Sequence, residues 1–267
     1  MRVLVAGCGA MGLPMAENLY AAGFDVVGFD VRTDHKLRNS PVPMLGSVFE
    51  AEAEVLLLVV RTAKDINDVC FDAQAIFSTD NPKCPDHVIV SSTVAKPDVL
   101  ALRRRLPETV SLCEAPMSGA PVAAREKRLS FMLAGDSATL DHHQPLFDAM
   151  GSHWFRVGEL GCGMLVKTLN NTLAAASVLV TRRVLADARA EGVDEQQLLE
   201  VLNASSGGTW FSKNFDLIDW ANEGYSIDST IGILEKDVRC AMASLSRDAD
   251  AFDDALLGAL IELEVRD

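Results

Sequence analysis

The fold of this chain is decided by the stretch VLVAGCGAMG, residues 3–12. Its first four residues form a continuous apolar run, as expected of a buried parallel strand, and the next six match the pattern G-x-G-x-x-G. A helical pattern then continues to Gly23, and a second apolar run, residues 26–29, ends in Asp30. Strand, glycine turn, helix, strand and terminal acid occur in the order typical of a dinucleotide-binding βαβ unit.

The residues of this unit predict a nicotinamide cofactor. The glycines permit close approach of a pyrophosphate, and the start of the helix supplies unpaired N–H groups. Asp30 can accept a hydrogen bond from a ribose 2′-hydroxyl, which favours NAD. NADP is the alternative, because Arg32 could bind a 2′-phosphate or stack on adenine. The predicted cofactor contacts here are Gly7, Gly9, Ala10, Met11, Gly12, Asp30 and Arg32.

Further apolar runs predict more strands of the same parallel sheet. They cover residues 55–60, 88–90, 110–113 and, more weakly, 129–134. Ligands of open α/β sheets bind beyond the carboxyl ends of the strands. We therefore expect the residues at the ends of two of these runs to line the cofactor site, namely Val60, Arg61 and Thr62 at the first and Ser92 and Thr93 at the second.

A long helical pattern opens at GCGMLVKTLNN, residues 161–171, and runs from Met164 to about Glu191 without Gly or Pro. No strand pattern follows it, so we predict an α/β fold in two parts: a Rossmann-type, doubly wound parallel sheet over residues 1–162 and an all-helical substrate and dimerisation domain over residues 163–267. Lys167, Asn170 and Asn171 stand at i, i+3 and i+4 and project from one face. On spacing alone, a solvated lysine with two incidental asparagines is an equally good interpretation.

Composition excludes several classes of function. The formal net charge of −14 disfavours binding to nucleic acid. The uncharged part of the long helix, residues 168–181, is too short for a membrane span and contains two asparagines. Six cysteines without a C-x-x-C pair predict neither a metal site nor a disulfide framework, and they favour a reducing, cytoplasmic location.

The loop EAPMSGAP, residues 114–121, places small residues between two prolines. Such a loop can direct a hydroxyl and consecutive backbone N–H groups at an anion. From spacing alone, an ordinary rigid turn is the favoured interpretation.

Taken together, four ordered motifs resemble those of the β-hydroxyacid dehydrogenase family, the group around 3-hydroxyisobutyrate dehydrogenase. They are the cofactor fingerprint GCGAMGLPMAENL at residues 7–19, the substrate loop EAPMSGA at 114–120, the catalytic motif G-x-G-x-x-x-K-x-x-N-N at 161–171 and the late KDV at 236–238. The resemblance covers nearly the whole chain. It implies a hydride transfer between NAD or NADP and a small carboxylate substrate, a β-hydroxyacid or its semialdehyde.

The resemblance also implies roles for individual residues. Lys167 would be the proton donor and acceptor, and Asn171 would orient the substrate or the lysine. Thr93 and Lys236 would contact the cofactor. The substrate-binding residues would be Ser118, Gly119, Ala120 and Asn170.

The chain departs from the family pattern near the substrate loop. Ala120 replaces the second glycine of the loop, and Ala123, Lys127 and Arg128 stand where the family usually has Gly, Gly and Thr. Because these residues differ in size from those of the family, the substrate that fits beside the loop can differ in size and identity. The helical domain is short for the family and cannot cover the apolar surface of the long helix alone, so we expect a homo-oligomer through this domain.

Three other functions fit parts of the sequence. An imine reductase and a sugar-phosphate dehydrogenase-like relative share the superfamily, but the first usually lacks a lysine at position 167 and the second has a much larger helical domain. A non-catalytic nucleotide-binding protein is disfavoured by the presence of both Lys167 and Asn171.

Overall fold

The computed structural model describes residues 1–32, 35–78, 81 and 83–266. The chain divides into two compact units, Met1–Lys167 and Thr168–Asp267, which are called the N-terminal and C-terminal units below. The predicted α/β class, a Rossmann-type sheet followed by a helical region, is confirmed.

The N-terminal unit alternates strands and helices. Its strands are β1 (Arg2–Ala6), β2 (Asp25–Phe29), β3 (Val55–Leu58), β4 (His87–Val90), β5 (Ser111–Glu114), β6 (Met117–Ser118), β7 (Leu129–Ala134) and β8 (Gly151–Gly158). Its helices are α1 (Gly12–Ala21), α2 (His35–Arg38), α3 (Ala63–Cys70), α4 (Lys96–Arg105), α5 (Ala120–Arg125) and α6 (Ser137–Met150), with a 3₁₀ turn at Val48–Glu50. The long helix α7 (Cys162–Ala190) begins in this unit and continues into the next.

The strands form one sheet in the order β2-β1-β3-β4-β5-β7-β6, with β8 beside β7. The pairs from β2 to β5 are parallel, whereas β7 runs antiparallel to β5 and β6. Helices cover both faces, which explains why β1, β3 and β4 are continuously apolar rather than alternating. One face buries the row Val5, Leu57, Ile89 and Cys113, and the other buries Leu4, Leu56, Val88 and Leu112.

This topology determines where a ligand can bind. Because β1 to β4 are parallel, the segments that follow them meet at one edge, called here the carboxyl edge of the sheet. That edge carries the glycine turn after β1, Asp30 after β2, Val60 after β3 and Thr93 after β4.

In the C-terminal unit, all the regular secondary structure of the described residues is helical. After α7 it contains α8 (Glu195–Ala204), α9 (Trp210–Lys213), α10 (Thr230–Ser244) and α11 (Ala251–Ile261), with a 3₁₀ turn at Phe215–Leu217. Gly192, at φ +78°, follows the end of α7 in the left-handed conformation common after a helix terminus. The core of this unit includes Ala175, Val178, Leu185, Phe211, Ile231 and Leu257.

Helix α7 is long and apolar enough to cross a membrane by length and composition, and a third of its most apolar window is buried. A single helix of this kind is weak evidence, because core helices of soluble proteins pass the same test. The expectation that the chain has no membrane span therefore stays a prediction.

Candidate cofactor and catalytic site

The glycine turn between β1 and α1 leaves no room for side chains. A Cβ added to Gly7 would lie 2.4 Å from the carbonyl oxygen of Val59, and one added to Gly12 would lie 1.9 Å from that of Gly7. Gly7 also has φ +97°, a conformation that glycine adopts without strain. The backbone here is bare, as close approach of a pyrophosphate to the start of α1 requires.

Cys8 occupies the first variable position of the glycine turn. Its side chain is buried, and the thiol donates a weak hydrogen bond to the carbonyl oxygen of Val5 at 3.5 Å. Burial, and secondarily the nearby charge of Asp30, raises the pKa of the Cys8 thiol to about 12. This side chain therefore acts as a small apolar group inside the turn.

Asp30 is bound by Arg32 at the end of β2. The backbone N–H and Nε of Arg32 donate to Oδ1 of Asp30, and Nη2 donates to Oδ2, each at 2.9 Å. Burial acts to raise the pKa of the Asp30 carboxyl, but the bonds from Arg32 prevail and hold that pKa below its usual value. Nη2 also lies 3.0 Å from the point where a Cβ on Gly9 would stand. Asp30 and Arg32 together border the glycine turn.

The ends of β3 and β4 are joined beside this turn. The N–H of Val60 donates to Oγ of Ser92 at 2.8 Å, and the Ser92 hydroxyl donates to the carbonyl oxygen of Leu58 at 3.2 Å. The side chain of Val60 approaches Gly7, while Arg61 is exposed and Thr93 is half-buried. These predicted contacts thus lie at the carboxyl edge of the sheet.

The predicted substrate loop is shaped by positive backbone angles. Ser118 ends β6, Gly119 has φ +140°, and Ala120 begins α5 at φ +54°. For Ala120 the left-handed region costs about 1–2 kcal/mol relative to a right-handed conformation, whereas glycine adopts it freely. A Cβ on Gly119 would lie 2.7 Å from that of Ala123. Position 119 therefore requires glycine, and the alanine at 120 is strained.

Glu114 anchors the start of α7, a role that the sequence did not predict. Its fully buried carboxylate accepts hydrogen bonds from the N–H of Gly161 at 2.5 Å, of Gly163 at 3.3 Å and of Met164 at 3.0 Å. Burial raises the pKa of the Glu114 carboxyl, and the three N–H donors and Lys96 oppose that shift. A carboxylate at a helix N-terminus also complements the helix dipole. Glu114 thereby joins the substrate loop to the helix that carries Lys167.

Lys167 lies in the second turn of α7 and is 7% exposed. Lysine is rarely buried, since desolvation of its ammonium group is costly. The interpretation of Lys167 as a solvated surface residue is therefore wrong.

In the C-terminal unit, an aspartate connects the remaining polar residues. Nδ2 of Asn171 donates to Oδ2 of Asp237 at 2.5 Å, and Nζ of Lys236 pairs with Oδ1 of Asp237 at 2.7 Å. Nδ2 of Asn170 donates to Oδ1 of Asn171 at 3.1 Å. Asp237, which is buried on α10, was not predicted as a site residue, although it stands in the KDV motif. It determines the orientation of the Asn171 amide.

Comparisons with known proteins agree with these features. Residues 2–158 match the NAD binding domain of 6-phosphogluconate dehydrogenase, and residues 161–252 match the NAD-binding domain of NADP-dependent 3-hydroxyisobutyrate dehydrogenase. The chain is 30% identical over 216 residues to L-threonate dehydrogenase from Cupriavidus necator, an alignment that covers 79% of this chain and 72% of that protein. It is 29% identical over 214 residues to NAD-dependent L-serine dehydrogenase from Pseudomonas aeruginosa, with coverage of 78% and 71%.

The solved structure of 3-hydroxyisobutyrate dehydrogenase from Salmonella typhimurium has the same fold, with a TM-score of 0.81 at 23% identity over 97% of this chain and 93% of that one. The sheet, its glycine turn and the matched domains define an NAD(P)-dependent oxidoreductase. The two matched domains and the named relatives also identify the family: the chain belongs to the β-hydroxyacid dehydrogenase family.

Proposed function

We propose that this chain transfers a hydride between a nicotinamide cofactor and a small β-hydroxyacid or its semialdehyde, with Lys167 as the general acid and base. The observation that carries this proposal is the anchoring of α7 by Glu114. That contact joins a loop suited to a carboxylate to the start of the helix whose second turn carries the buried Lys167. Asn171 follows one turn later on the same helix.

The residues of the carboxyl edge fit a dinucleotide. The turn carries no side chain at Gly7, Gly9 or Gly12, so its backbone N–H groups are bare toward a pyrophosphate, and Asp30 offers carboxylate oxygens to a ribose. When bound, the nicotinamide supplies the hydride acceptor or donor. Ala10, Met11, Val60, Arg61 and Thr93 would complete the cofactor contacts of the N-terminal unit, and Lys236 is a further contact by family resemblance.

The protein supplies the proton chemistry. Oxidation of an alcohol removes a hydroxyl proton as the hydride leaves, and reduction returns it, so a group that accepts and donates a proton is needed. None of the four motifs contains a histidine, which leaves Lys167 for this role. Asn171, whose amide is fixed by Asp237, would orient the substrate or the lysine.

The substrate class follows from the loop and the relatives. The Ser118 hydroxyl and the N–H groups of Gly119 and Ala120 would bind a carboxylate. Asn170 is a further substrate contact by family resemblance alone. L-Serine and L-threonate, the substrates in the names of two relatives, are both small hydroxylated carboxylates. All six cysteines are free thiols, which supports a reducing, cytoplasmic location.

A spectrophotometric panel tests this function. Small hydroxyacids, including L-serine, L-threonate and 3-hydroxyisobutyrate, are supplied with NAD or NADP, and their semialdehydes with NADH or NADPH. We expect turnover with at least one acid and none with the matching alcohol that lacks the carboxylate. Turnover of a cyclic imine instead would favour an imine reductase. NADH binding without turnover of any compound would favour a non-catalytic nucleotide-binding protein.

Cofactor choice gives a separate prediction. Asp30→Ser should improve binding of NADPH relative to NADH by about tenfold, because a carboxylate facing a 2′-phosphate is removed while Arg32 is released to bind it. Dissociation constants are measured by the fluorescence of the two reduced cofactors. Asp25→Ser, which removes the same charge from the opposite end of β2, is the control and should leave the ratio unchanged. A wild-type preference for NADPH would show that Arg32 dominates.

The exposed face of α7 supports a homo-oligomer. Leu169, Leu173 and Val180 lie along one stripe of the helix, and Leu173 is 71% exposed. We expect the wild-type chain to be at least a dimer by light scattering and Leu173→Glu to be a monomer. Leu217→Glu is the matched control, since Leu217 is 77% exposed in the same unit but outside α7. A wild-type monomer would contradict this prediction.

A further inference from the structure

Three histidines from distant parts of the sequence meet at the amino end of β4. His87 is the first residue of that strand, and His142 and His143 are neighbours on α6. One ring nitrogen of each lies within 4.8 Å of the others, and the ring centroids are 4.7–5.0 Å apart. These three residues are called the histidine cluster below.

His143, the buried member of the cluster, has unsatisfied hydrogen-bonding groups. The residue is 0% exposed, and neither ring nitrogen has a hydrogen-bond partner among the residues that the structure describes. Buried polar atoms nearly always have a partner, and an unsatisfied one calls for an ion or a water molecule. Neutral imidazole is the form that binds a metal.

His87 is already oriented for a ligand. Its Nδ1 shares a hydrogen bond of 2.6 Å with Oγ of Ser111, the residue opposite it on β5, which leaves Nε2 for a metal. A hydrogen bond to the second nitrogen is the usual support of a metal-binding histidine. Asp86 and Glu54 lie close enough to His87 to place negative charge beside the cluster, which favours a cation.

We propose that His87, His142 and His143 form a binding site for a divalent transition-metal ion, with Zn²⁺ as the expected occupant. Three imidazole ligands with a fourth position for water are a common zinc arrangement. Zn–N bonds of about 2.0–2.1 Å in a tetrahedron place the nitrogens about 3.4 Å apart, so closure needs ring movements of roughly 1 Å. His142 is exposed and free to make such a movement, and its exposure gives the ion a path from solvent.

The position of the cluster separates the proposed ion from the cofactor edge of the sheet. The amino end of β4 lies at the opposite end of the strand from Ser91 and Thr93, which follow it at the carboxyl edge. An ion at the cluster would join α6 to β4 and would not reach the cofactor. Bound zinc should therefore raise the thermal stability of the folded chain and leave NADH affinity unchanged.

Calorimetric titration of chelator-treated protein with Zn²⁺ tests the site. We expect one equivalent to bind to the wild-type chain and to raise its Tm, and His142→Asn to weaken binding at least tenfold and to abolish the rise. His142 is chosen because it is exposed, so its loss should not impair folding. His153→Asn removes an exposed histidine on β8 and should behave as the wild type. Ser111→Ala, which removes the support of His87, should weaken binding by about tenfold.

Two results would overturn the proposal: equal zinc affinity of the wild type and His142→Asn, or no zinc binding by the wild type. The visible spectrum of the Co²⁺-substituted chain gives an independent readout, since four-coordinate cobalt absorbs much more strongly than the hydrated ion. The NADH titration separates this site from the dehydrogenase activity, because either can fail without the other.

Discussion

Lys167→Ala is expected to lower turnover by about 10²- to 10⁴-fold while NADH affinity changes little. The substitution removes the group that accepts the hydroxyl proton during oxidation and returns it during reduction. The glycine turn and Asp30, which bind the cofactor in the proposed site, are untouched. Turnover is followed by NADH absorbance with the best acid of the panel, and binding by NADH fluorescence.

Lys167→Arg distinguishes proton transfer from charge. Arginine keeps the cation but does not lose its proton at ordinary pH, so this variant should be nearly as slow as Lys167→Ala. Near-normal turnover in the alanine variant would refute the mechanism. Loss of NADH binding as well would show that Lys167 contacts the cofactor or holds the structure.

Glu114→Ala is expected to lower the free energy of unfolding by about 3–5 kcal/mol. The substitution removes the carboxylate that accepts from three N–H groups at the start of α7 and leaves these donors buried without an acceptor. The same change frees the helix that carries Lys167, so turnover per folded molecule should also fall. Urea unfolding followed by circular dichroism gives the stability, and the acid panel gives the turnover.

Asp194→Ala is the matched control for Glu114→Ala. Asp194 caps α8 through a single bond to the N–H of Gln197 at an exposed helix end, so its loss should cost about 1 kcal/mol and leave turnover unchanged. If the free energy of unfolding of Glu114→Ala equals or exceeds that of Asp194→Ala, the carboxylate of Glu114 does not anchor α7.

The parts of the fold that the sequence predicted are those with strong local patterns. The strands β1, β3 and β4 contain continuous apolar runs, and the pattern without Gly or Pro from Met164 predicted α7, which begins two residues earlier at Cys162. Strand β8 was missed because most of its side chains are exposed at the edge of the sheet and show no apolar pattern. Helix α6 was missed because Pro145 stands inside it and disguises the helical pattern.

The sequence predicted those parts of the candidate site whose residues lie close together in the chain and form a recognisable spacing. The glycine turn and Asp30 were predicted in this way, whereas the roles of Lys167 and Asn171 came from the family resemblance; all of these roles stay predictions. Contacts between distant segments were not, because nothing local marks them. Glu114 binds a helix start about 50 residues later, and the histidine cluster joins a strand to a helix more than 50 residues away.

The buried thiol in the glycine turn has a consequence for how the protein tolerates chemical stress. Oxidants and alkylating agents react with thiolates, and a pKa of about 12 keeps Cys8 protonated at any physiological pH. Its side chain is also out of reach of solvent. Cys8, which stands inside the proposed pyrophosphate site, is thus protected from modification. Peroxide or an alkylating reagent should therefore spare this turn even while it consumes the more accessible thiols of the chain.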